Sequence, residues 1–367
     1  MSKGIVVLAA GGTGGHLFPA QALAEVLVKR GYRVHLMTDE RVRSYGKDFP
    51  AEQVHVIPSA SPSFSRPWML PARLKRLYGG YRLAKGTLAA LKPVTVIGFG
   101  GYPSFPPLLA ARTLKIPTAV HEQNAVLGRA NAFLASRVDV IATSFLSVLG
   151  LPASAKRKTT YTGNPVRAIA RAEAASPYPA PKEYGPFQLV VFGGSQGAKF
   201  FSDFMPQVAA ALTDKARQRL RLVQQCRAED MEQVQAAYKK LGLQAELHSF
   251  FSDMPQRIAA AHLVVCRSGA SSVAELGVIG RPAVFVPLPH ALDNDQLKNA
   301  QAFANAGGGW VFPQWELQPL EFAGFLNRLM GDGQGLKKAA AAALNQGVPD
   351  AAERLADLAE RLATGRV

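Results

Sequence analysis

Two glycine-rich turns, half a chain apart, each follow a short apolar strand and precede a helical pattern. The first turn, Gly-Gly-Thr-Gly-Gly-His at 11–16, follows the apolar run 6–10. The second, Gly-Gly-Ser-Gln-Gly-Ala at 193–198, follows the run 189–192. A strand, a glycine turn and a helix together expose backbone N–H groups and a positive helix end, where a phosphate can bind. The repetition predicts two nucleotide-binding-type domains that face one cleft.

The size and composition of the chain agree with two ordinary globular domains. The chain has 367 residues, of which 48% are hydrophobic and 19% charged. Two cysteines without metal-type spacing predict no disulfide framework and a reducing compartment. We recognise neither a signal peptide nor an 18-residue apolar run, so we expect a cytoplasmic protein without a membrane span.

Strand and helix patterns alternate in both halves, which predicts an α/β fold with parallel sheets. We expect strands near 5–10, 33–37, 54–57, 94–97, 118–120 and 138–142, and then near 188–192, 220–224, 245–248, 263–266 and 283–286. An Ala- and Pro-rich joint at 162–186 separates an N-terminal domain, 1–165, from a C-terminal domain, 166–349. Ligands of such sheets bind beyond the carboxyl ends of the strands.

Positive charge is concentrated in the first domain. The net charge is +16, and the stretch 53–121 holds nine Lys or Arg and no acid, which favours an anionic partner. Within 66–85, apolar and basic side chains alternate: Trp68, Leu70, Leu74, Leu77 and Tyr78 with Arg73, Lys75 and Arg76. A membrane-interface patch is our preferred interpretation. The alternatives are a helix that buries its apolar side and a single-stranded nucleic-acid surface, for which no known motif is present.

The first glycine turn is not a dinucleotide fingerprint, because Leu17 stands where the third glycine belongs. The second is not a phosphate loop of the Walker type, because Phe200 follows Lys199. His16 ends the first turn and could act as a general base or donate to a phosphate. The alternative is a histidine that forms local hydrogen bonds at a helix start, where Thr13 could be the cap.

Three polar segments follow other predicted strands. The small residues of 267–275 could bind a diphosphate, with Glu275 accepting from a ribose, or Ser271 or Ser272 could form a capping box with Glu275. The segments 289–296 and 121–124 could contact sugar hydroxyls, or could be ordinary turns.

Taken together and in order, these motifs resemble the MurG family, the bacterial peptidoglycan glycosyltransferases of the two-domain GT-B architecture. The resemblance extends over essentially the whole chain and includes seven segments: 11–20, 98–102, 121–124, 163–167, 193–198, 267–275 and 293–300. It implies two Rossmann-like domains whose parallel sheets face a central cleft. It also implies that a helix within 350–367 packs back on the N-terminal domain.

The resemblance implies an enzyme that moves N-acetylglucosamine, with inversion, from UDP-N-acetylglucosamine to the C4 hydroxyl of undecaprenyl-diphospho-N-acetylmuramoyl-pentapeptide. This step converts lipid I to lipid II and requires neither a metal nor another cofactor. The implied location is peripheral, on anionic phospholipids of the cytoplasmic face of the inner membrane. Nucleic acid is not an expected partner, whereas other proteins of cell-wall synthesis are.

Site residues follow from the resemblance by position. His16 corresponds to the base, and the acceptor's diphosphate is expected at Gly12, Gly100, Gly101 and Tyr102. Arg167 or Arg267 would help backbone amides to neutralise the donor's diphosphate. The donor-binding residues are Thr13, Gly14, Gly15, Asn124, Arg167, Ser195, Met254, Ala270, Ser271, Ser272, Val273, Ala274, Glu275 and Gln296.

Two other functions stay open from the sequence. One is a GT-B enzyme with a different lipid or soluble acceptor. The other is a non-catalytic, membrane-attached protein that binds a nucleotide sugar. A dehydrogenase is disfavoured by the missing third glycine.

Overall fold

The computed structural model describes residues 2–11, 14–41, 49–60, 67–289 and 291–366, with the backbone alone for 67, 195–198 and 292. The chain forms two compact units, one of residues 1–167 and 348–367 and the other of residues 168–347.

Unit 1 is built on a parallel sheet of seven strands in the order β3-β2-β1-β4-β5-β6-β7. Its strands are β1 Ile5–Ala9, β2 Arg33–Thr38, β3 Gln53–Val56, β4 Thr95–Gly98, β5 Thr118–Glu122, β6 Val140–Thr143 and β7 Thr159–Tyr161. Its first helices are α1 Gly14–Lys29, α2 Leu70–Leu91, α3 Phe105–Thr113 and α4 Arg129–Leu134.

Strand β1 explains why unit 1 has helices on both faces of its sheet. Its five residues are all apolar and buried, as parallel strands covered on both sides require. Side chains of a strand alternate between faces. Val6 and Leu8 therefore join one core cluster with α1, whereas Val7 and Ala9 join another with α2 and α3.

Unit 2 has a parallel sheet of six strands in the order β10-β9-β8-β11-β12-β13. These strands are β8 Phe187–Phe192, β9 Leu220–Gln225, β10 Gln244–His248, β11 Leu263–Cys266, β12 Ala283–Phe285 and β13 Gly309–Val311. The helices are α5 Ala168–Ala172, α6 Gly194–Ala211, α7 Asp214–Arg219, α8 Met231–Lys240, α9 Met254–Ala260, α10 Ala270–Ile279, α11 Asp295–Asn305, α12 Pro319–Gly331 and α13 Gly333–Leu344.

The segment after unit 2 returns to unit 1 as helix α14, Ala351–Ala363. Leu355, Leu358 and Leu362 are buried in the cluster that also holds α1. Arg30, near the end of α1, pairs with Asp357 and Glu360 at 2.7 and 2.9 Å. Apolar burial thus supplies most of the free energy that holds α14 on unit 1, because partly exposed ion pairs contribute little.

The structure confirms the predicted α/β class and two Rossmann-like parallel sheets. The predicted strands all form, with ends that differ by up to two residues. Two edge strands, β7 and β13, were not predicted. At the start of β13 a side chain would not fit, because a Cβ on Gly309 would lie 2.1 Å from the carbonyl oxygen of Ala283.

Candidate active site

In unit 1 the order of the strands brings three of the predicted motifs together. Strands β1, β4 and β5 are neighbours, and the segments 11–16, 98–102 and 121–124 lie at their carboxyl ends. Helix α1 begins at Gly14, so His16 lies in its first turn. Gly12 and Thr13 lie outside the described residues.

The His16 imidazole lies against two glycines of the second motif. A Cβ on Gly101 would be 3.3 Å from Cδ2 and 3.4 Å from Nε2 of His16, and a Cβ on Gly100 would be 3.5 Å from Cε1. Both glycines have a positive φ, +79° for Gly100 and +69° for Gly101, which other residues rarely adopt. This turn therefore needs glycine for its backbone and for its close approach to the ring.

Behind His16, a chain of polar groups leads into the interior of unit 1. Nδ1 of His16 is 3.2 Å from Oε1 of Gln123. Nε2 of Gln123 is 3.1 Å from both Nδ1 and the carbonyl oxygen of His121. Nε2 of His121 donates to the carbonyl oxygen of Gly163 at 3.0 Å. We call His16, Gln123, His121 and the Gly163 carbonyl the His16 network.

Both imidazoles of this network favour the neutral form. Desolvation lowers the pKa of His16, against hydrogen bonds to Gln123 and the main chain of Phe99 that raise it, and the charge of Arg41 lowers it further. Burial lowers the pKa of His121 to about 4. A neutral His16 can accept a proton at physiological pH.

The carboxylate of Glu122 orders the backbone after β5. It accepts from the N–H groups of Asn124 at 3.0 Å and Gly128 at 2.9 Å, and from Nδ2 of Asn131 at 2.8 Å. Burial raises its pKa, against these hydrogen bonds. The predicted donor residue Asn124 is thereby held at the strand end. Our site prediction included neither Glu122 nor Asn131, although 121–124 was noted as a polar run.

Arg167 is the last residue of the predicted 163–167 motif. Its guanidinium lies over the ring of Phe18 in α1, 5.1 Å from the centroid. The same ring explains Gly14, where a Cβ would be 2.8 Å from the Phe18 Cε2 atom. Phe18 thus connects the first glycine turn to Arg167.

In unit 2 the neighbouring strands β8, β11 and β12 bring the other motifs to one edge. The glycine turn after β8 leads into α6, which begins at Gly194, and for Ser195 the structure describes the backbone alone. The segment after β11 leads into α10, of which the predicted donor residues Ala270 to Glu275 form the first turns. Met254 begins α9.

The capping-box interpretation of α10 is wrong. The N-cap is Gly269, which has no side chain to accept a hydrogen bond, so neither Ser271 nor Ser272 is in the capping position. The Oγ atom of Ser271 is buried without a hydrogen-bond partner. Glu275 is 6% exposed in the second turn. The first turn of α10 therefore keeps its N–H groups unoccupied by a side-chain cap.

Arg267 does not fit the suggested role at the donor's diphosphate. Its side chain turns inward, is 6% exposed and packs over Phe200 and Phe201. Its guanidinium donates to the carbonyl oxygens of Val286 and Pro287 at 2.9 and 3.0 Å, and burial lowers its pKa to about 10. It fixes the segment after β12 instead.

Gln296 is fixed in that same segment. Its Oε1 accepts from the N–H of Leu288 at 3.0 Å, and its carbonyl accepts from Ser268 Oγ at 2.8 Å. The two residues before α11, Asp293 and Asn294, have φ values of 57° and 54°. His290 lies outside the described residues. No described residue accepts from the side-chain amide nitrogen of Gln296, which could therefore donate to a ligand.

The predicted membrane patch has one buried and one exposed side. Gly80, Ala84 and Leu88 of α2 are buried, whereas Trp68, Leu74 and Tyr78 are 74%, 53% and 62% exposed. Lys75 and Arg76 are also exposed, and Leu70, Arg73 and Leu77 are partly buried. The segment therefore buries one side of α2 and leaves several apolar side chains exposed beside basic ones. No helix in the described part of the chain is long and apolar enough to cross a membrane.

Comparisons with known proteins agree with this arrangement. Residues 6–143 match the family model "Glycosyltransferase family 28 N-terminal domain", and residues 188–355 match the "Glycosyltransferase family 28 C-terminal domain". The UDP-N-acetylglucosamine–N-acetylmuramyl-(pentapeptide) pyrophosphoryl-undecaprenol N-acetylglucosamine transferases of Sinorhizobium fredii and Rhizobium etli are each 54% identical, over 100% of this chain and 97% of theirs. The crystal structure of Acinetobacter baumannii MurG is 30% identical, with a TM-score of 0.79 over 98% of this chain and 99% of that one.

Proposed function

This chain belongs to glycosyltransferase family 28, and we propose that it transfers N-acetylglucosamine from UDP-N-acetylglucosamine to undecaprenyl-diphospho-N-acetylmuramoyl-pentapeptide. The product is lipid II. The observation that carries the proposal is the 54% identity, over the whole chain, to transferases named for this reaction. The acceptor position is the C4 hydroxyl, and the α linkage of the donor becomes β.

Unit 1 supplies the base in this proposal. An attacking hydroxyl must lose its proton as the new bond forms, and a side chain that takes the proton accelerates the step. His16 supports this role because desolvation favours its neutral form and because its ring lies against Gly100 and Gly101, which place no side chain on it. Gly12, Gly100, Gly101 and Tyr102 hold the diphosphate of the acceptor, with backbone amides rather than cations.

Unit 2 binds the donor. The uncapped first turn of α10, Ala270 to Ser272, offers N–H groups and a positive helix end to the diphosphate, together with the turn at Ser195. Further along α10, Val273 and Ala274 line the site and Glu275 accepts from the ribose. Gln296 contacts the sugar and the backbone of Met254 contacts uracil. The resemblance implies further donor contacts at Thr13, Gly14, Gly15, Asn124 and Arg167.

A transfer assay tests the enzyme hypothesis. The purified protein is incubated with labelled UDP-N-acetylglucosamine and a lipid I analogue, and UDP affinity is measured separately. We expect transfer, and we expect His16→Ala to reduce kcat by roughly 10²–10⁴-fold. His55→Ala, which removes an imidazole from edge strand β3, is the matched control. Measurable UDP binding without transfer would favour the nucleotide-sugar binding protein instead.

We also propose that the exposed side of α2 holds the enzyme on the anionic cytoplasmic face of the inner membrane, beside its lipid acceptor. The support is that Leu74 and Tyr78 of α2, and Trp68 just before it, are exposed next to Lys75 and Arg76. Each basic side chain near an anionic surface contributes about 1 kcal/mol.

Vesicle flotation tests this membrane site. The double variant Lys75→Glu, Arg76→Glu should bind anionic vesicles at least tenfold more weakly than the natural chain. The control is Lys337→Glu, Lys338→Glu on α13, which changes the net charge equally at exposed positions. Equal weakening of both double variants would indicate general charge attraction, and α2 would then lose its assigned role.

A further inference from the structure

The His16 network has one consistent arrangement of hydrogens, and two main-chain carbonyls determine it. A carbonyl oxygen can only accept. Nε2 of His121, 3.0 Å from the Gly163 oxygen, therefore carries a hydrogen. Because His121 is neutral, its Nδ1 has a lone pair and no hydrogen.

The orientation of the Gln123 carboxamide follows from the same reasoning. One end of it lies 3.1 Å from the carbonyl oxygen of His121 and 3.1 Å from the bare Nδ1 of His121. Both neighbours are acceptors, so this end must be the NH₂ group, and its two hydrogens serve the two acceptors. The amide oxygen therefore faces His16, and Nδ1 of His16 must donate to it across 3.2 Å.

We propose that Gln123, held by His121, is a positioning residue that keeps His16 in the tautomer with hydrogen on Nδ1 and a lone pair on Nε2. The inference rests on the proposed function, in which His16 is the base. Nε2 is the nitrogen beside Gly101, where a Cβ would lie 3.4 Å away and glycine has none. The opposite tautomer would place the hydrogen on the nitrogen that has to receive one.

The transfer step then balances as follows. The O–H bond of the acceptor hydroxyl breaks and its proton goes to Nε2 of His16. The hydroxyl oxygen forms the bond to the sugar's anomeric carbon, and the bond from that carbon to UDP breaks with its electron pair on the diphosphate. The proton stays on His16, because a carboxamide such as Gln123 neither gains nor loses a proton near neutral pH and so cannot relay it to His121.

Because the Gln123 side chain is a neutral amide and not a carboxylate, it also affects the pKa of His16. The groups that face the ring are the Gln123 oxygen and the Phe99 main chain, which favour the imidazolium, and Arg41, which opposes it. Among the described residues no carboxylate hydrogen-bonds to His16. An opposite charge near a titratable group shifts its pKa by roughly 1–3 units. A carboxylate in place of the amide would therefore raise the pKa of His16.

Imidazole nitrogen NMR tests the tautomer apart from activity. The chain has seven histidines, so long-range ¹H–¹⁵N spectra of histidine-labelled protein are tractable, and His16→Asn assigns the signal. Above its pKa, His16 should carry hydrogen on Nδ1. Gln123→Leu should populate the Nε2–H form and reduce kcat at least tenfold, with less than twofold change in KM for the donor. Gln207→Leu, on the exposed side of α6, is the control.

The pH profile gives the second measurement. Gln123→Glu keeps an acceptor for Nδ1, so the tautomer should persist, and the acid limb of kcat should move upward by roughly 1–3 units. This variant also keeps the size of the side chain if Gln123→Leu does not fold. Hydrogen on Nε2 in the natural chain, or an unmoved acid limb in Gln123→Glu, would overturn the inference. The expected tautomer with full activity in His16→Ala would instead overturn only the base assignment.

Discussion

Replacing Gly101 by alanine tests whether the bare surface beside His16 is needed for catalysis. The added Cβ would be 3.3 Å from Cδ2 and 3.4 Å from Nε2 of His16. Non-bonded carbon atoms prefer about 3.5–4.0 Å, so the ring would have to retreat by a few tenths of an ångström. The methyl group would also cover the nitrogen that accepts the proton.

This substitution should affect both folding stability and turnover, and the size of each effect can be estimated separately. The backbone of Gly101, with φ +69° and ψ 165°, lies in a region that is essentially confined to glycine, so alanine should cost about 1–3 kcal/mol of folding stability. Displacing a catalytic group by 1 Å can cost about 10²-fold in rate, so a smaller shift with a covered Nε2 should lower kcat by roughly 10–100-fold.

Gly242→Ala is the matched control, because Gly242 has a φ of +64° and nothing within 4 Å of an added Cβ. Urea unfolding should show a loss of stability for both variants, because both glycines have a positive φ. Only Gly101→Ala should lose turnover in the lipid I assay. Full turnover in Gly101→Ala, with the stability loss present, would refute the reasoning about the uncovered ring.

Three further substitutions test packing and burial by urea unfolding. The pKa of His121 is about 4 in the folded chain and about 6.5 in the unfolded chain. As the pH falls from 7 to 4, the His121 side chain is therefore protonated mainly in the unfolded state. Between pH 7 and 4 the natural chain should therefore lose about 3 kcal/mol more stability than His121→Asn, and parallel curves would contradict this. Arg267→Met leaves buried carbonyls without donors and should cost about 2–4 kcal/mol, whereas Arg354→Met, which breaks an exposed pair with Asp350, should cost under about 1 kcal/mol. Gly309→Ala should cost about 2–3 kcal/mol because β13 must shift away from β12, and Gly331→Ala, with nothing within 4 Å, should cost almost nothing.

The sequence predicted most of the sheet architecture because parallel strands are continuous apolar runs. Strand β11 forms over the predicted 263–266, and β1 ends one residue before the predicted end. Strand β13 was not predicted because it has only three residues and begins with Gly309. A glycine is present there because the backbone of Ala283 lies too close for a side chain, and this cannot be read from the hydrophobic pattern. A three-residue edge strand has too little periodicity to be recognised.

The motifs of the candidate site could be located from the sequence because each is a short run of neighbouring residues after a strand, but the contacts between them could not be predicted. His16 and Gln123 are 107 positions apart, and only the adjacency of β1, β4 and β5 brings them together. The role suggested for Arg267 at the donor's diphosphate was wrong for a different reason. A cation after a strand suggests a phosphate, but the direction in which a long side chain turns depends on tertiary packing.

Helix α14 has a consequence for the order in which the protein is made. Domains commonly fold in sequence as they leave the ribosome, the N-terminal one first. Here residues 168–347 are all synthesised before Leu355, Leu358 and Leu362, which fill the core of unit 1. Unit 2 can therefore complete its core while unit 1 still exposes the apolar surface of α1. A chain that ended at residue 350 and left the ribosome would hold a finished second unit and an incomplete first one.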